Sequence, residues 1–206
     1  GRGSHRPQRV TPRSDPGLVG DEAVLLARKT GSVVFVGHHR VAAGRALLQS
    51  SPCDVLICDD GLQHYALRRD VEIATVDATL GQGNGRCLPA GPLREPLSRL
   101  QQVDAVVSAG GAADGTHSMQ LIATGACRLS DRADRRRLES FQGKAVHAVA
   151  GVANPQRFYA MLRAAGLDIQ IHSFADHHPF SASDLDFADD RPVLMTEKDA
   201  VKCETF

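Results

Sequence analysis

The sequence predicts an α/β protein built on a mostly parallel sheet, with a second, smaller α/β domain toward its carboxyl end. Two observations support this prediction. Short, near-continuous apolar runs occur at residues 33–36, 55–58, 73–76 and 105–107, as expected for parallel strands that are covered on both faces. A helical pattern over residues 40–49 separates the first two runs, and strand–helix–strand alternation is typical of layered α/β folds.

The predicted domains are a core over residues 1–125, a polar connector over 126–144 and the smaller domain over 145–206. Residues 1–19, rich in Arg, Pro, Ser and Gly, are predicted to be extended or loop. The connector carries three consecutive arginines at 135–137. We interpret this run as a solvated helix face, with a contact to anionic lipid as the alternative.

The smaller domain has its own strand and helix signals. Its first strand, residues 145–150, precedes a helix that starts at Asn154 and Pro155, because Asn is a good cap and Pro suits the first helical position. Gly166 ends that helix. The remaining predicted elements are strands at 168–174 and 193–196 and short helices at 97–100 and 183–188.

Composition excludes several classes of protein. The 206 residues have a formal net charge of zero and 4% aromatic residues, which argues against a nucleic-acid partner. The five cysteines are scattered, which indicates a reducing compartment and neither a disulfide framework nor a zinc site. No apolar run of about 18 residues occurs, so the chain is expected to be soluble.

The strongest single feature is the apolar run 55–58, which leads directly into Asp59, Asp60 and Gly61. Acidic residues at the carboxyl end of a buried parallel strand lie where α/β proteins bind ligands. Carboxylates there also suit Mg²⁺, as in nucleotide-hydrolysing enzymes. The alternative is that both aspartates form a turn or cap the next element.

Two further segments could supply a proton acceptor. Asp21 and Glu22 open a predicted helix; they either stabilise its first turn or provide, in Asp21, a general base. His177 follows Asp176 in a loop, where it is either simply exposed or oriented by a carboxylate for proton abstraction. A zinc site that includes the adjacent His178 is disfavoured, since neighbouring ligands rarely point at one ion.

Cationic residues could contact phosphate. Arg94 lies in a proline-dense loop, residues 88–96, and Lys198 follows the last predicted strand. A planar guanidinium is well suited to phosphate. The phosphate-binding pattern G-x-x-x-x-G-K-[ST] does not occur in the sequence.

Taken together, these segments resemble the lipid A 4′-kinases (tetraacyldisaccharide 4′-kinases) over nearly the whole chain. The strings D-D-G-L-Q-H at 59–64 and L-P-A-G-P-L-R-E at 88–95 are the most specific. The other matching segments, in the same order as in that family, are residues 18–22, 83–85, 151–155, 174–178 and 196–202.

The resemblance implies ATP-dependent phosphorylation of the 4′-hydroxyl of a tetraacylated disaccharide 1-phosphate, with ATP and Mg²⁺ required. It implies a P-loop-NTPase-like domain, a smaller carboxyl-terminal α/β domain and an active site in the cleft between them. Asp21 would be the base, assisted by His177, and Asp59 and Asp60 would bind the metal. The residues expected to line the nucleotide or substrate site are Glu22, Gln63, His64 and Arg94.

Members of that family begin with a membrane-associated helix and a P-loop, both upstream of the first residue here. We therefore expect the chain to be an incomplete nucleotide-binding core, also lacking the carboxyl-terminal end of the smaller domain, that does not bind ATP productively by itself. The family implies a location at the cytoplasmic face of the bacterial inner membrane. The main alternative is a non-enzymatic α/β module that binds a lipid-disaccharide or phosphate ligand; a small-molecule ligase is disfavoured by the two specific strings.

Overall fold

The computed structural model describes residues 6–79, 81–111 and 115–204. The chain divides into two compact units. The first combines Gly1–Leu56 with Ala123–Phe206, and the second is Ile57–Ile122. The amino-terminal segment thus packs in the same unit as the residues of the predicted smaller domain. The domain boundaries predicted near residues 125 and 145 therefore remain a prediction.

The amino-terminal segment contains two strands and three helices: β1 (Gln8–Val10), α1 (Pro16–Val19), α2 (Asp21–Thr30), β2 (Val34–Val36) and α3 (Arg40–Ser50). β1 and β2 pair in the antiparallel direction. The strand predicted at 33–36 and the helix predicted at 40–49 are therefore confirmed in place, although the strand's partner is antiparallel.

Two predictions for this part of the chain are wrong. α1 occupies residues predicted to be extended or loop, because Asp15 caps a helix that begins at Pro16, whereas β1 in the same segment is extended as predicted. Residues 1–5 of that prediction lie outside the described residues. Residues 55–58 form no strand. Val55 and Ile57 are 74% and 89% exposed; an apolar run becomes a strand only where neighbouring strands satisfy its backbone groups.

Both ends of α2 have a local cause. Gly20 precedes the helix with a φ of 96°, and Asp21 and Glu22 place negative charge in the first turn, where the helix dipole favours it. Gly31, in the left-handed conformation with a φ of 64°, ends the helix. The start of α2 is thus fixed by sequence, and this fixes the position of Asp21.

The second unit contains a three-stranded parallel sheet. Its strands are β3 (Ile73–Asp77), β4 (Ala105–Ala109) and β5 (His117–Met119), in the order β3-β4-β5. The strands predicted at 73–76 and 105–107 are confirmed. A 3₁₀ helix, Leu97–Gln101, occupies the position of the short helix predicted there.

The connector folds into a short antiparallel pair of strands, β6 (Ala126–Cys127) and β7 (Arg135–Arg136). The interpretation of the arginine run as a helix face is therefore wrong, because its backbone is extended and paired. Its side chains are exposed, as predicted. A 3₁₀ helix, Leu138–Phe141, then leads into the last part of the chain.

The last part contains β8 (Ala145–Ala150), α4 (Pro155–Ala164), β9 (Asp168–Ser173), β10 (Val193–Met195) and α5 (Glu197–Ala200). The three strands form a parallel sheet in the order β10-β8-β9. This confirms the predicted strands and the helix after Pro155. The helix predicted at 183–188 is a shorter 3₁₀ helix, Ala182–Leu185.

The largest hydrophobic core surrounds β8, the central strand of this sheet, and one face of α4. Its buried side chains are Leu138, Phe141, Val146, Ala148, Ala150, Tyr159, Leu162, Leu167 and Leu194. Burial of a central parallel strand on both faces explains its continuous apolar sequence. With two parallel sheets, the described residues form an α/β fold, as predicted. No helix among them is long and apolar enough to cross a membrane.

Candidate functional site

In the first unit, charged side chains converge at the carboxyl ends of the three parallel strands. β8 ends at Ala150 and is followed by Gly151, β9 leads into the loop with His177, and β10 leads into α5. The amino terminus of α2 brings Asp21 to the same edge, through a contact with His177. Ligands of α/β proteins bind at this edge of a parallel sheet.

Asp21 and His177 contact each other although 156 positions separate them in the sequence. The Nδ1 atom of His177 lies 3.2 Å from Oδ2 of Asp21, and Oδ1 of Asp21 accepts a hydrogen bond from the backbone N–H of Glu22 at 3.0 Å. The Asp21 side chain is 8% exposed and that of His177 is 59% exposed. The pair therefore meets solvent chiefly through the imidazole ring.

A first lysine, Lys198, forms ion pairs with two carboxylates next to this pair. Its Nζ atom lies 2.9 Å from Glu22 and 3.5 Å from Asp176. Burial alone would lower the pKa of Lys198, but the hydrogen bond to Glu22 and the nearby carboxylates raise it above its ordinary value. The ammonium therefore stays charged, and Glu22 is held beside Asp21.

A second lysine, Lys202, lies behind the pair. Its Nζ atom is 2.8 Å from Oδ1 of Asp199 and 3.8 Å from Oδ2 of Asp21. Asp199 is fully buried, and its Oδ2 atom accepts hydrogen bonds from Gly151 N–H at 2.9 Å and from the Thr196 hydroxyl at 2.7 Å. A buried carboxylate with this many donors is compensated electrostatically.

The neighbouring His178 has a different, structural environment. Its Nε2 atom lies 3.3 Å from Asp184, and its ring packs against Phe174 and Phe180. The two adjacent histidines thus contact different partners, Asp21 and Asp184.

The second unit holds the other five predicted site residues. Asp59 and Asp60 are exposed, and Asp60 has a φ of 51°, so the segment turns at the position where the run 55–58 ends. Among residues 6–79, 81–111 and 115–204, no three His, Cys, Asp or Glu side chains form a cluster that could hold a metal ion.

Glu95 links the two most specific sequence strings within this unit. Gln63 donates a hydrogen bond to it at 2.6 Å, and the Tyr65 hydroxyl donates another. These donors lower the pKa of Glu95, Tyr65 more than Gln63. Arg94, the residue before Glu95, is exposed. The backbone N–H of His64 donates to the carbonyl oxygen of Gly61 at 2.9 Å.

The proline-dense loop is fixed by Asn84. Its Nδ2 atom donates to the Ala90 carbonyl at 2.8 Å, and its Oδ1 atom accepts from Arg86 N–H at 3.1 Å. A β-carbon at Gly91 would lie 2.1 Å from that same Oδ1 atom. Glycine is thus required there, and the loop presents Arg94 from a defined backbone.

Sequence reasoning did not single out Gly151, Asp199 or Lys202 as site residues. One signal was available: the string T-E-K-D-A-V-K starting at Thr196 places an acid three residues after a capping threonine and two lysines four residues apart. The first spacing is that of a capping box, and the second places both lysines on one helical face. The role of Gly151 has no comparable local signal.

Comparisons with known proteins agree with these features. The family model described as "Tetraacyldisaccharide-1-P 4'-kinase" matches residues 1–206. The chain is 55% identical over 206 residues to the tetraacyldisaccharide 4′-kinase of Nitrosococcus oceani and 51% identical over 208 residues to that of Methylobacillus flagellatus. Both alignments cover the whole of this chain, and 61% and 62%, respectively, of those relatives.

A solved structure has the same fold. The crystal structure described as the "apo" form of LpxK from Aquifex aeolicus in complex with ATP superposes with a TM-score of 0.76 at 26% sequence identity, covering 98% of this chain and 67% of that one. The chain thus spans about three fifths of the length of the curated relatives it matches. Matched over its full length by the family model and by relatives of more than 50% identity, the chain belongs to the tetraacyldisaccharide-1-phosphate 4′-kinase family.

Proposed function

We propose that the protein transfers the γ-phosphate of ATP to the 4′-hydroxyl of a tetraacyldisaccharide 1-phosphate, a step of lipid A biosynthesis. This chain would supply the group that activates the acceptor hydroxyl. The observation that carries the proposal is the contact between Asp21 and His177 at the carboxyl edge of a parallel sheet, in a chain of this family.

In this proposal Asp21 is the general base. It accepts the proton of the 4′-hydroxyl as that oxygen bonds to phosphorus, and His177 assists by holding the carboxylate from the solvent side. Support comes from the 3.2 Å contact, which is within hydrogen-bond reach. Glu22 would line the acceptor site next to the base, since Lys198 holds its carboxylate.

Asp59 and Asp60 would bind Mg²⁺. Carboxylate oxygens are the ligands that Mg²⁺ prefers, and one or two protein carboxylates are typical of its sites at nucleotides. The exposure of both side chains fits that role. When bound, the ion neutralises charge on phosphate oxygens. Gln63, His64 and Arg94 are proposed to line the nucleotide or substrate site.

The nucleotide's phosphates need further residues. The solved relative is a complex with ATP, whereas these 206 residues contain no G-x-x-x-x-G-K-[ST] loop. We therefore propose that this chain by itself transfers no phosphate. Because the proposed acceptor carries four acyl chains, the reaction is proposed to take place at a membrane surface. The family implies that this surface is the cytoplasmic face of the bacterial inner membrane.

The test measures phosphate transfer from γ-labelled ATP to the tetraacyldisaccharide 1-phosphate in detergent micelles, with the complete gene product. We expect Asp21→Asn to lower kcat by about 10²- to 10⁴-fold, the range for loss of a general base. The KM for ATP should stay unchanged, because only the transition state loses an interaction. The chain of 206 residues should be inactive in the same assay.

Asp190→Asn is the matched control, since it removes an exposed aspartate of the same unit. The base assignment is contradicted if both variants transfer phosphate at the same rate. A complete protein that binds the disaccharide and transfers nothing would favour the non-enzymatic binding module instead.

A further inference from the structure

Five residues of the first unit form a closed ring of polar contacts. The Nδ1 atom of His177 contacts Asp21, and the backbone N–H of His177 donates to the Gly151 carbonyl at 3.2 Å. Gly151 N–H donates to Asp199, Lys202 bonds to the other oxygen of Asp199, and the same ammonium faces Asp21 at 3.8 Å. Each member of the proposed catalytic pair is thus connected to the same buried carboxylate by a different route.

Asp199 is the fixed point of this ring. It is fully buried at the start of α5, and both of its carboxylate oxygens are occupied by donors from Gly151, Thr196 and Lys202. The backbone N–H of Asp199 donates to the Thr196 hydroxyl at 3.2 Å. A buried charge satisfied in this way has one orientation only, since any rotation leaves a donor unpaired.

Lys202 transmits this fixed position to Asp21. Its side chain is 11% exposed, and its ammonium lies 5.0 Å from the centre of the Phe180 ring. An ammonium group has three donors and can serve two carboxylates at once. Without it, Asp21 and Asp199 would be two like charges in one poorly solvated region, and their repulsion would move the Asp21 carboxylate away from its place beside His177.

We propose that Lys202, anchored by the buried carboxylate of Asp199, is a positioning residue for the Asp21–His177 pair. It touches neither substrate; it holds the Asp21 carboxylate where His177 can contact it. The effect on turnover rests on the proposed function, whereas the effect on the geometry of the pair does not.

The first test uses phosphate transfer by the complete gene product. Lys202→Met is expected to lower kcat by about 10- to 100-fold, because small misplacements of a catalytic group are costly. The KM values should stay within about twofold, since ground-state binding is unchanged. Lys202→Arg, which keeps the charge, should recover most of the loss.

Arg28→Met is the matched control. Arg28 forms a half-buried ion pair with Glu204 at 2.6 Å, so it joins the same helix, α2, to the same carboxyl-terminal segment as Lys202 does. Its side-chain hydrogen bonds go to Pro12 and Glu204, which are not members of the ring. This control should lower thermal stability and leave kcat within about twofold of wild type. Equal losses of kcat in Lys202→Met and Arg28→Met would overturn the proposal.

The second test needs no activity. It records the NMR spectrum of the 206-residue chain with ¹⁵N-labelled histidine. The signals of the His177 ring nitrogens are identified because they are missing from the spectrum of His177→Gln. In Lys202→Met, the ¹⁵N chemical shifts of the His177 ring should move toward the values seen in Asp21→Asn. In Arg28→Met they should stay unchanged. Unchanged shifts in Lys202→Met would overturn the proposal. If the complete wild-type protein transfers no phosphate, the proposed function fails, and this spectrum alone decides the role of Lys202.

Discussion

Gly151 is a position at which a single methyl group should disturb the Asp21–His177 pair. A β-carbon there would lie 3.2 Å from the Ala175 carbonyl oxygen, 3.2 Å from an Asp199 carboxylate oxygen and 3.3 Å from the Phe180 ring. Two of these neighbours are buried and the third is backbone, so none can move freely. We expect Gly151→Ala to lower the free energy of unfolding by about 1–3 kcal/mol, the usual cost of overpacking.

The loss should come from crowding alone. Gly151 does not have a φ in the left-handed region, so alanine can adopt its backbone conformation. The displaced strand end also carries the carbonyl that accepts the His177 N–H. The variant should therefore lose phosphate transfer in the complete protein as well as stability.

Gly44→Ala is the control for this substitution. Gly44 lies inside α3, where a new β-carbon would contact Leu56 at an ordinary distance of 3.5 Å. Alanine should stabilise the helix by about 0.5–1 kcal/mol. Urea unfolding of the 206-residue chain, followed by circular dichroism, measures both variants. The reasoning is refuted if Gly151→Ala unfolds at the same urea concentration as wild type, or at a higher one.

Two further predictions follow from shifted pKa values. Burial, then the charges of His147 and Arg191, lower the pKa of His172 in the folded state below its ordinary value of 6.5. The unfolded chain therefore binds the proton more tightly, and the free energy of unfolding should fall as the pH drops below about 6.5. The fall should be less steep in His172→Gln than in wild type. If urea unfolding at several pH values gives the same dependence of this free energy on pH for both proteins, the prediction is refuted. Burial raises the pKa of Cys203 to about 11; at pH 8 this thiol should react with a disulfide reagent far more slowly than the exposed Cys53, and equal rates would contradict the prediction.

Sequence patterns predicted the elements well where neighbouring residues in the chain determine the structure. The run at 145–150 is a central strand because its neighbours on both sides are supplied by the same stretch of chain, as β9 and β10. The run at 55–58 has the same apolar character but forms no strand. The difference is the presence of hydrogen-bonding neighbours, and apolar periodicity does not report which strand lies next to which.

In the candidate site, too, contacts between residues close in sequence could be predicted, whereas contacts between distant residues could not. Asp21 could be predicted as a helix start from Gly20 and the acids after it, but its partner lies 156 residues away, and only the resemblance to a known family connected the two. Asp199 and Lys202 are three residues apart and could be predicted to contact each other on a helix. That their pair supports Asp21 depends on how α2 packs against α5, which no local pattern encodes. The residues that position a catalytic group are thus harder to predict than the group itself, because their role exists only in the packed structure.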